Sequence, residues 1–213
     1  MKKIITTAIA CLALMAFSKT TLQSQKATST ATLMHTSQVM DTSGAKKFWD
    51  TLKRHCGKAY EGNLNSGAVG DDFKGKQLVI HLLSCNDDEI LIPFNVGDNR
   101  SRTWILIYKD GRIQLKHDHR HEDGTSDKVT MYGGTTSNSG LPGLAVFPAD
   151  EETVGVIPAA ATNVWWITVN DTAYTYNLRR IGTDRLFSVS FDLTKEIETP
   201  KASWGWENYP SSR

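Results

Sequence analysis

The chain of 213 residues carries 24 Lys and Arg against 23 Asp and Glu, a formal charge of +1. That length suits one domain once both ends are set aside. Near-neutral charge, with no basic run longer than Lys46-Lys47 after the N-terminal segment, argues against nucleic acid or another polyanion as partner, which needs a concentrated basic patch.

Residues 1–18 read as a secretory signal, with Lys2 and Lys3 ahead of a short apolar run over 4–17 and small residues at Ala16 and Ser18. The run is too short to span a membrane, which takes about 20 apolar residues. The mature chain is therefore expected to be exported, with no transmembrane segment. Cys11, after Ala8-Ile9-Ala10, offers lipoprotein anchoring as the alternative. Residues 19–41 are rich in Ser, Thr, Gln and Ala and bury too little to offset chain entropy, so they read as a flexible tether.

A β-rich domain is expected over 42–194. Thr42 or Ser43 can cap a short helix running to about His55, with Phe48, Trp49 and Leu52 at helical spacing, and Gly57 stops it. From Lys58 the apolar pattern switches to period two. Residues 58–64 form a first strand, followed by a loop over 65–73. Residues 77–85 and 89–96 form a hairpin across Asn86-Asp87-Asp88, and Ile90, Ile92, Phe94 and Val96 share one face. Residues 102–109 and 112–119 form another across Asp110-Gly111, the strongest short turn signal in the chain. A strand over 128–132 returns after Glu122-Asp123-Gly124. Residues 133–143 are a Gly/Ser/Thr/Asn loop, and Asp150 can cap a helix over 151–156. Strands over 163–169, 173–180 and 186–193 complete the set. Residues 195–213, with Pro200 and Pro210, read as a mobile tail free to fold back on the domain.

Short hairpins and one preceding helix point to an all-β, antiparallel up-and-down barrel of eight to ten strands, since closure removes exposed edges. A β-sandwich is the alternative, because alternation alone does not separate the two. Cys56 and Cys85, the pair left in an exported chain, are expected to form a disulfide. It would stabilise the fold by roughly 3–4 kcal/mol in the chain-entropy model.

The site signal is the run R-I-Q-L-K-H-D-H-R-H-E-D-G over 112–124. Strand side chains alternate, so His117, His119 and His121 continue the face of Ile113 and Leu115, while Asp118, Arg120 and Glu122 continue the other. His117 and His119 sit about 6.6 Å apart at Cα in a strand, close enough for both imidazoles to reach one ion. A divalent metal such as zinc would need a further ligand, with His81 or His121 as candidates and Glu122 or Asp123 behind them. The competing reading is a hydrogen-bonded network at a barrel mouth, in which His117, His119, Arg120, His121, Glu122 and Asp123 contact a ligand. Such a network should loosen below pH about 6. Arg100 and Arg102 beside Trp104 could bind a carboxylate or phosphate. Trp165 and Trp166 must face opposite ways, and Tyr174 and Tyr176 share a face that can line a cavity.

The K-H-D-H-R-H-E-D-G run, with V-T-M-Y-G-G and I-P-A-A-A-T-N-V-W downstream, resembles a family of small exported bacterial proteins of unassigned activity, over residues 48–193. The order of helix then barrel is also similar to the calycin superfamily, which implies a tendency to bind small molecules. Gly57-Lys58-Ala59-Tyr60-Glu61-Gly62 stands where that superfamily has Gly-x-Trp. Three functions stay open at this point. They are a binding module for a small molecule or ion (haem through one histidine being a variant), a metal-dependent hydrolytic enzyme using His117 and His119, and an interaction domain without a pocket.

Overall fold

A computed structural model describes residues 41–67 and 72–210. The expected signal over 1–18, Cys11 within it, and the tether up to residue 40 lie outside the described residues. Helix α1 (Gly44–Lys53) opens the domain, and the Ser43 side chain accepts the Lys46 backbone N–H at 3.1 Å as its N-cap. Its apolar face buries Phe48, Trp49 and Leu52, as the spacing requires.

Eleven strands follow: β1 (Ala59–Gly67), β2 (Leu78–His81), β3 (Ser84–Cys85), β4 (Glu89–Val96), β5 (Asn99–Lys109), β6 (Arg112–His119), β7 (Tyr132–Thr135), β8 (Leu144–Pro148), β9 (Asn163–Val169), β10 (Ala173–Arg180) and β11 (Leu186–Ile197). They form one antiparallel sheet in the order β7-β6-β5-β4-β2-β1-β11-β10-β9-β8, with β3 on β4. The sheet is nearly closed into a barrel, so the sandwich alternative falls away. A single core runs down the inside, from Phe187, Val189 and Phe191 of β11 to Ile90, Ile92 and Phe94 of β4. Trp49 of α1 meets Tyr108 at 5.5 Å and closes the end near the β5–β6 turn. Cys56 and Cys85 are disulfide-bonded with Cα atoms 6.0 Å apart, tying the foot of α1 to β3. Among the described residues no helix is long and apolar enough to cross a membrane.

Three sequence expectations are corrected. Residues 128–131 are bends and irregular backbone, with Met131 at φ 56°, and the strand begins only at Tyr132. Part of the expected 133–143 loop is therefore β7, and Leu144–Pro148 is a strand with no counterpart in the pattern reading. β7 and β8 do not pair, and the gap between them is closed by α2 (Glu151–Val156). The Thr153 hydroxyl accepts the Gly133 N–H at 2.6 Å and lies 2.7 Å from the Gly133 carbonyl, and the Asp150 N–H donates to that carbonyl. The two chains pass so closely there that a Cβ on Gly134 would lie 1.8 Å from the Pro148 carbonyl oxygen.

The third correction concerns the expected mobile tail. Its first residues lengthen β11 to Ile197, and the rest is tied across the outside of β4, β5 and β6. Trp204 N–H donates to Arg100 O, Arg100 Nη1 to Ala202 O, Trp206 Nε1 to Asp118 Oδ2 and Tyr209 O–H to Glu89 Oε1. Trp206 and Tyr209 cover Leu83, just before β3, and Leu91 and Ile105, which β4 and β5 turn outward.

Candidate functional site

The β5–β6 hairpin sets the site. Its register pairs Tyr108 with Ile113, Leu106 with Leu115, Trp104 with His117 and Arg102 with His119, all on the inner face. Moving from the α1 end toward the opposite end of the barrel, the inner row thus changes from aliphatic to aromatic to polar. β10 likewise ends polar on this face, running through Tyr174, Tyr176 and Leu178 to Arg180, and β11 begins just after Arg185. Where these rows meet lies a cavity of about 190 Å³.

Trp104, Tyr176, Trp165 and His117 line this cavity, and Trp104 stacks on Tyr176 with ring centroids 4.1 Å apart. Phe73, from the β1–β2 connection, packs on Phe187 at 4.9 Å and carries the Arg102 guanidinium 5.3 Å above its ring. Arg102, Arg180 and Arg185 all line the cavity, and among the described residues no Asp or Glu does, although the charge of Asp72 acts on Arg102 from nearby. Among the described residues none of the three forms an ion pair. Arg180 Nε donates to Asn163 at 2.9 Å, and Arg102 Nη1 to Asn99 at 3.2 Å. Arg185 Nε is buried with no hydrogen-bond partner among the described residues.

His117 is engaged on both sides of its ring. Its Nδ1–H donates to the Tyr132 carbonyl at 2.9 Å, and the Tyr176 hydroxyl donates to Nε2 at 2.6 Å. Burial, little offset by the Tyr132 carbonyl, drops its pKa from 6.5 to about 3, so the ring is neutral. His119 falls to about 4, first through burial and then through the positive charge of Arg102. Its Nε2 lies 3.0 Å from the Tyr132 hydroxyl. Burial pushes the Tyr132 phenol up to about 12 and Tyr176 well above its usual value, so both stay protonated. The charge-bearing groups of the cavity are therefore the three guanidiniums.

The structure brings only part of the predicted set together. His117 and His119 meet at the cavity; Arg120, His121, Glu122 and Asp123 do not line it. β6 ends at His119, and alternation ends with it. His121 is exposed in the following turn, where Asp123 Oδ1 accepts from Thr125 N–H and hydroxyl. Arg120 turns outward to Asp118 at 2.7 Å and over the Trp206 ring. His81 is buried on β2, where Leu78 and Ile80 hold the inner face, and is absent from the cavity. The expected metal set of His117, His119 and His81 is not assembled. Among the described residues no group of three or more His, Cys, Asp or Glu is placed to hold a metal, and His117 spends both ring nitrogens on other partners.

Of the arginine pair flagged in sequence, Arg102 reaches the cavity, while Arg100 binds the tail. Tyr176 lines the cavity as its face allows, and Tyr174 packs below it. Sequence reasoning missed Tyr132, Arg180 and Arg185. For the arginines a signal existed: Arg180 continues the parity of Tyr174, Tyr176 and Leu178, and Arg185 that of Phe187. Comparison with models of known families, with curated proteins and with solved structures finds no match for this chain.

Proposed function

We propose that this chain is an exported ligand-binding barrel whose cavity takes a small organic anion with a flat apolar body. The supporting observation is the set of three guanidiniums, without carboxylate partners, around a cavity that no carboxylate lines. A partly buried unpaired charge is costly to keep, and an anion supplied from outside is the partner that offsets that cost. Arg185 lines the cavity, and its Nε has no hydrogen-bond partner among the described residues, so the fold does not occupy this guanidinium as it does an ion-paired one. Guanidinium suits carboxylate or phosphate because its fork matches two oxygens at once. Trp104, Tyr176 and Phe73 offer flat faces for the ligand's body. A cavity of about 150 Å³ accepts benzene, so one of about 190 Å³ has room for a single ring with a short anionic group.

The likeness to calycin-type barrels and the export signal belong to the same proposal, and the disulfide is compatible with an oxidising compartment. The test is calorimetric titration of the full mature chain with benzoate, phenyl phosphate and neutral benzamide. The anions should bind and benzamide should not, with affinity falling as salt rises. Replacing Arg185 by Met should weaken benzoate about 10- to 100-fold, the worth of a charge-assisted hydrogen bond. Benzamide binding as tightly as benzoate, or no anion binding at all, would sink the proposal.

A further inference from the structure

His119 and Tyr132 form a linked pair on the cavity wall, and neither is used up by the fold. His119 Nε2 faces the Tyr132 hydroxyl. His119 Nδ1 has no hydrogen bond among the described residues, and His119 lines the cavity. The Tyr132 hydroxyl likewise has His119 as its one side-chain partner among the described residues. His117, two residues away, contrasts with both, being engaged at each nitrogen. Arg102 pairs with His119 across the β5–β6 register. The charges of Arg102 and Arg185 both act on the Tyr132 oxygen and favour negative charge there, ahead of the opposing charge of Asp127. The site thus holds a base atom, an acid proton and two cations around one point, with acid and base joined through the imidazole.

Resting on the reading that the cavity takes small organic anions, we propose that enolisable keto acids are among them, and that His119 and Tyr132 interconvert their keto and enol forms. The carboxylate lies at Arg102 and Arg185, which leaves the neighbouring carbonyl oxygen beside Tyr132. The C–H bond next to the carbonyl breaks, and its proton goes to His119 Nδ1. The electron pair released forms the C=C bond, and the carbonyl π pair moves to oxygen. That oxygen takes the Tyr132 hydroxyl proton, and the His119 Nε2 proton replaces it on Tyr132. The imidazole ends neutral with its proton on Nδ1, the phenol ends protonated, and exchange with water returns the ring to its starting tautomer. No oxidant, reductant or co-reactant is consumed. Burial keeps His119 unprotonated and Tyr132 protonated at neutral pH, which is the starting state the relay needs. The guanidiniums stabilise the enolate-like charge as it forms.

The experiment follows deuterium uptake at the carbon beside the carbonyl of phenylpyruvate and of pyruvate in D2O by NMR, with the full mature chain. Benzoate, which cannot enolise, reports binding by calorimetry. Exchange should exceed the buffer rate by at least about 10-fold and saturate with keto acid. Tyr132→Phe and His119→Gln should each cut it about 100-fold at saturating keto acid, within the usual worth of a general acid or base, a loss well beyond any change in benzoate affinity that calorimetry reads for the same variant. If Tyr132→Phe does not fold, His119→Gln carries the test. Binding of benzoate and keto acids without accelerated exchange overturns the catalytic inference and leaves the binding reading standing. Exchange that survives both substitutions overturns it as well. Failure of benzoate and both keto acids to bind removes the binding reading first.

Discussion

The two faces of β6 bury ionisable groups by opposite means. Toward the inside, His117 and His119 stand among Trp104, Trp165, Tyr132 and Tyr176 with no ion pair among the described residues, and burial, outweighing the charges of Asp127 and Asp118 on His119, makes both rings neutral. Toward the outside, Lys116 is as buried as His117, yet it stays charged. Desolvation is the largest influence on it and opposes the charge, but hydrogen bonds to Asp150 and Glu152 hold its pKa above the usual value. Asp118, also buried, accepts Arg120 Nε at 2.7 Å and Trp206 Nε1 at 2.9 Å. The difference lies in what covers each face. The inner cover is the aromatic wall of the barrel, which supplies hydrogen bonds and, among the described residues, no ion pair. The outer cover is α2 and the C-terminal segment, which bring acidic, amide and indole groups from far along the chain. A ligand with its own negative charge is what the inner face lacks and the outer face already has.

The outer arrangement should break hardest. Asp118→Ala removes the acceptor shared by Arg120 and Trp206 and leaves both under the tail without it. Breaking a buried, hydrogen-bonded charge pair from one side costs about 3–5 kcal/mol, which urea unfolding will read directly. Benzoate affinity should change little, because Asp118 does not line the cavity. A cost under about 1 kcal/mol would mean that the tail's contact with Asp118 contributes little beyond an exposed pair.

The inner face should respond to pH instead. The folded pKa values of His117 and His119 lie below 6.5, so as pH falls the unfolded chain takes up protons first. Stability is complete above pH about 6.5 and declines below it, with the loss from His117 finished only near pH 3. Between pH 6.5 and 5, His117 alone removes about 2 kcal/mol at 1.36 kcal/mol per unit. His119 adds less than the same rule gives, since it is partly open to solvent. His55 and His81, whose pKa values burial also lowers, act in the same direction. Thermal unfolding between pH 8 and 5 should therefore show a falling melting temperature, shallower in His117→Gln and unchanged in slope in Asp118→Ala. A flat profile would contradict the neutral inner face.

Much of this contrast was legible in the sequence, because parity is a local property. Ile113 and Leu115 placed His117 and His119 inward, and Asp110-Gly111 forecast the turn that sets their register, with φ of 51° and 69°. What covers each face was not local. Trp206 reaches Asp118 across 88 residues, in a segment whose mixed polarity shows no period. β7 escaped notice because Gly133 and Gly134, its centre, have no side chains to alternate, although their smallness is what lets Leu115 and Pro148 approach. Arg180 and Arg185 flank a turn, where arginines usually point to water. Only closure of the sheet turns them toward Arg102 and makes three separate strand-end charges into one site.

The smallest effect isolates one bond of the outer cover. Trp206→Phe keeps an aromatic ring over Leu91 and Ile105 and beneath the Arg120 guanidinium, and it deletes the indole N–H that donates to Asp118. Asp118 keeps Arg120 on Oδ2 and the Thr130 hydroxyl at 3.3 Å on Oδ1, so its charge is not stranded. The loss should then be that of one hydrogen bond with its acceptor still satisfied, about 1 kcal/mol. Combined with Asp118→Ala, the substitution should cost almost nothing further, giving a coupling near that same value in a double-mutant cycle. Additive losses would mean that Trp206 stabilises the barrel by packing alone, and that the outer face is held by apolar contact rather than by the pairing that distinguishes it from the inner one.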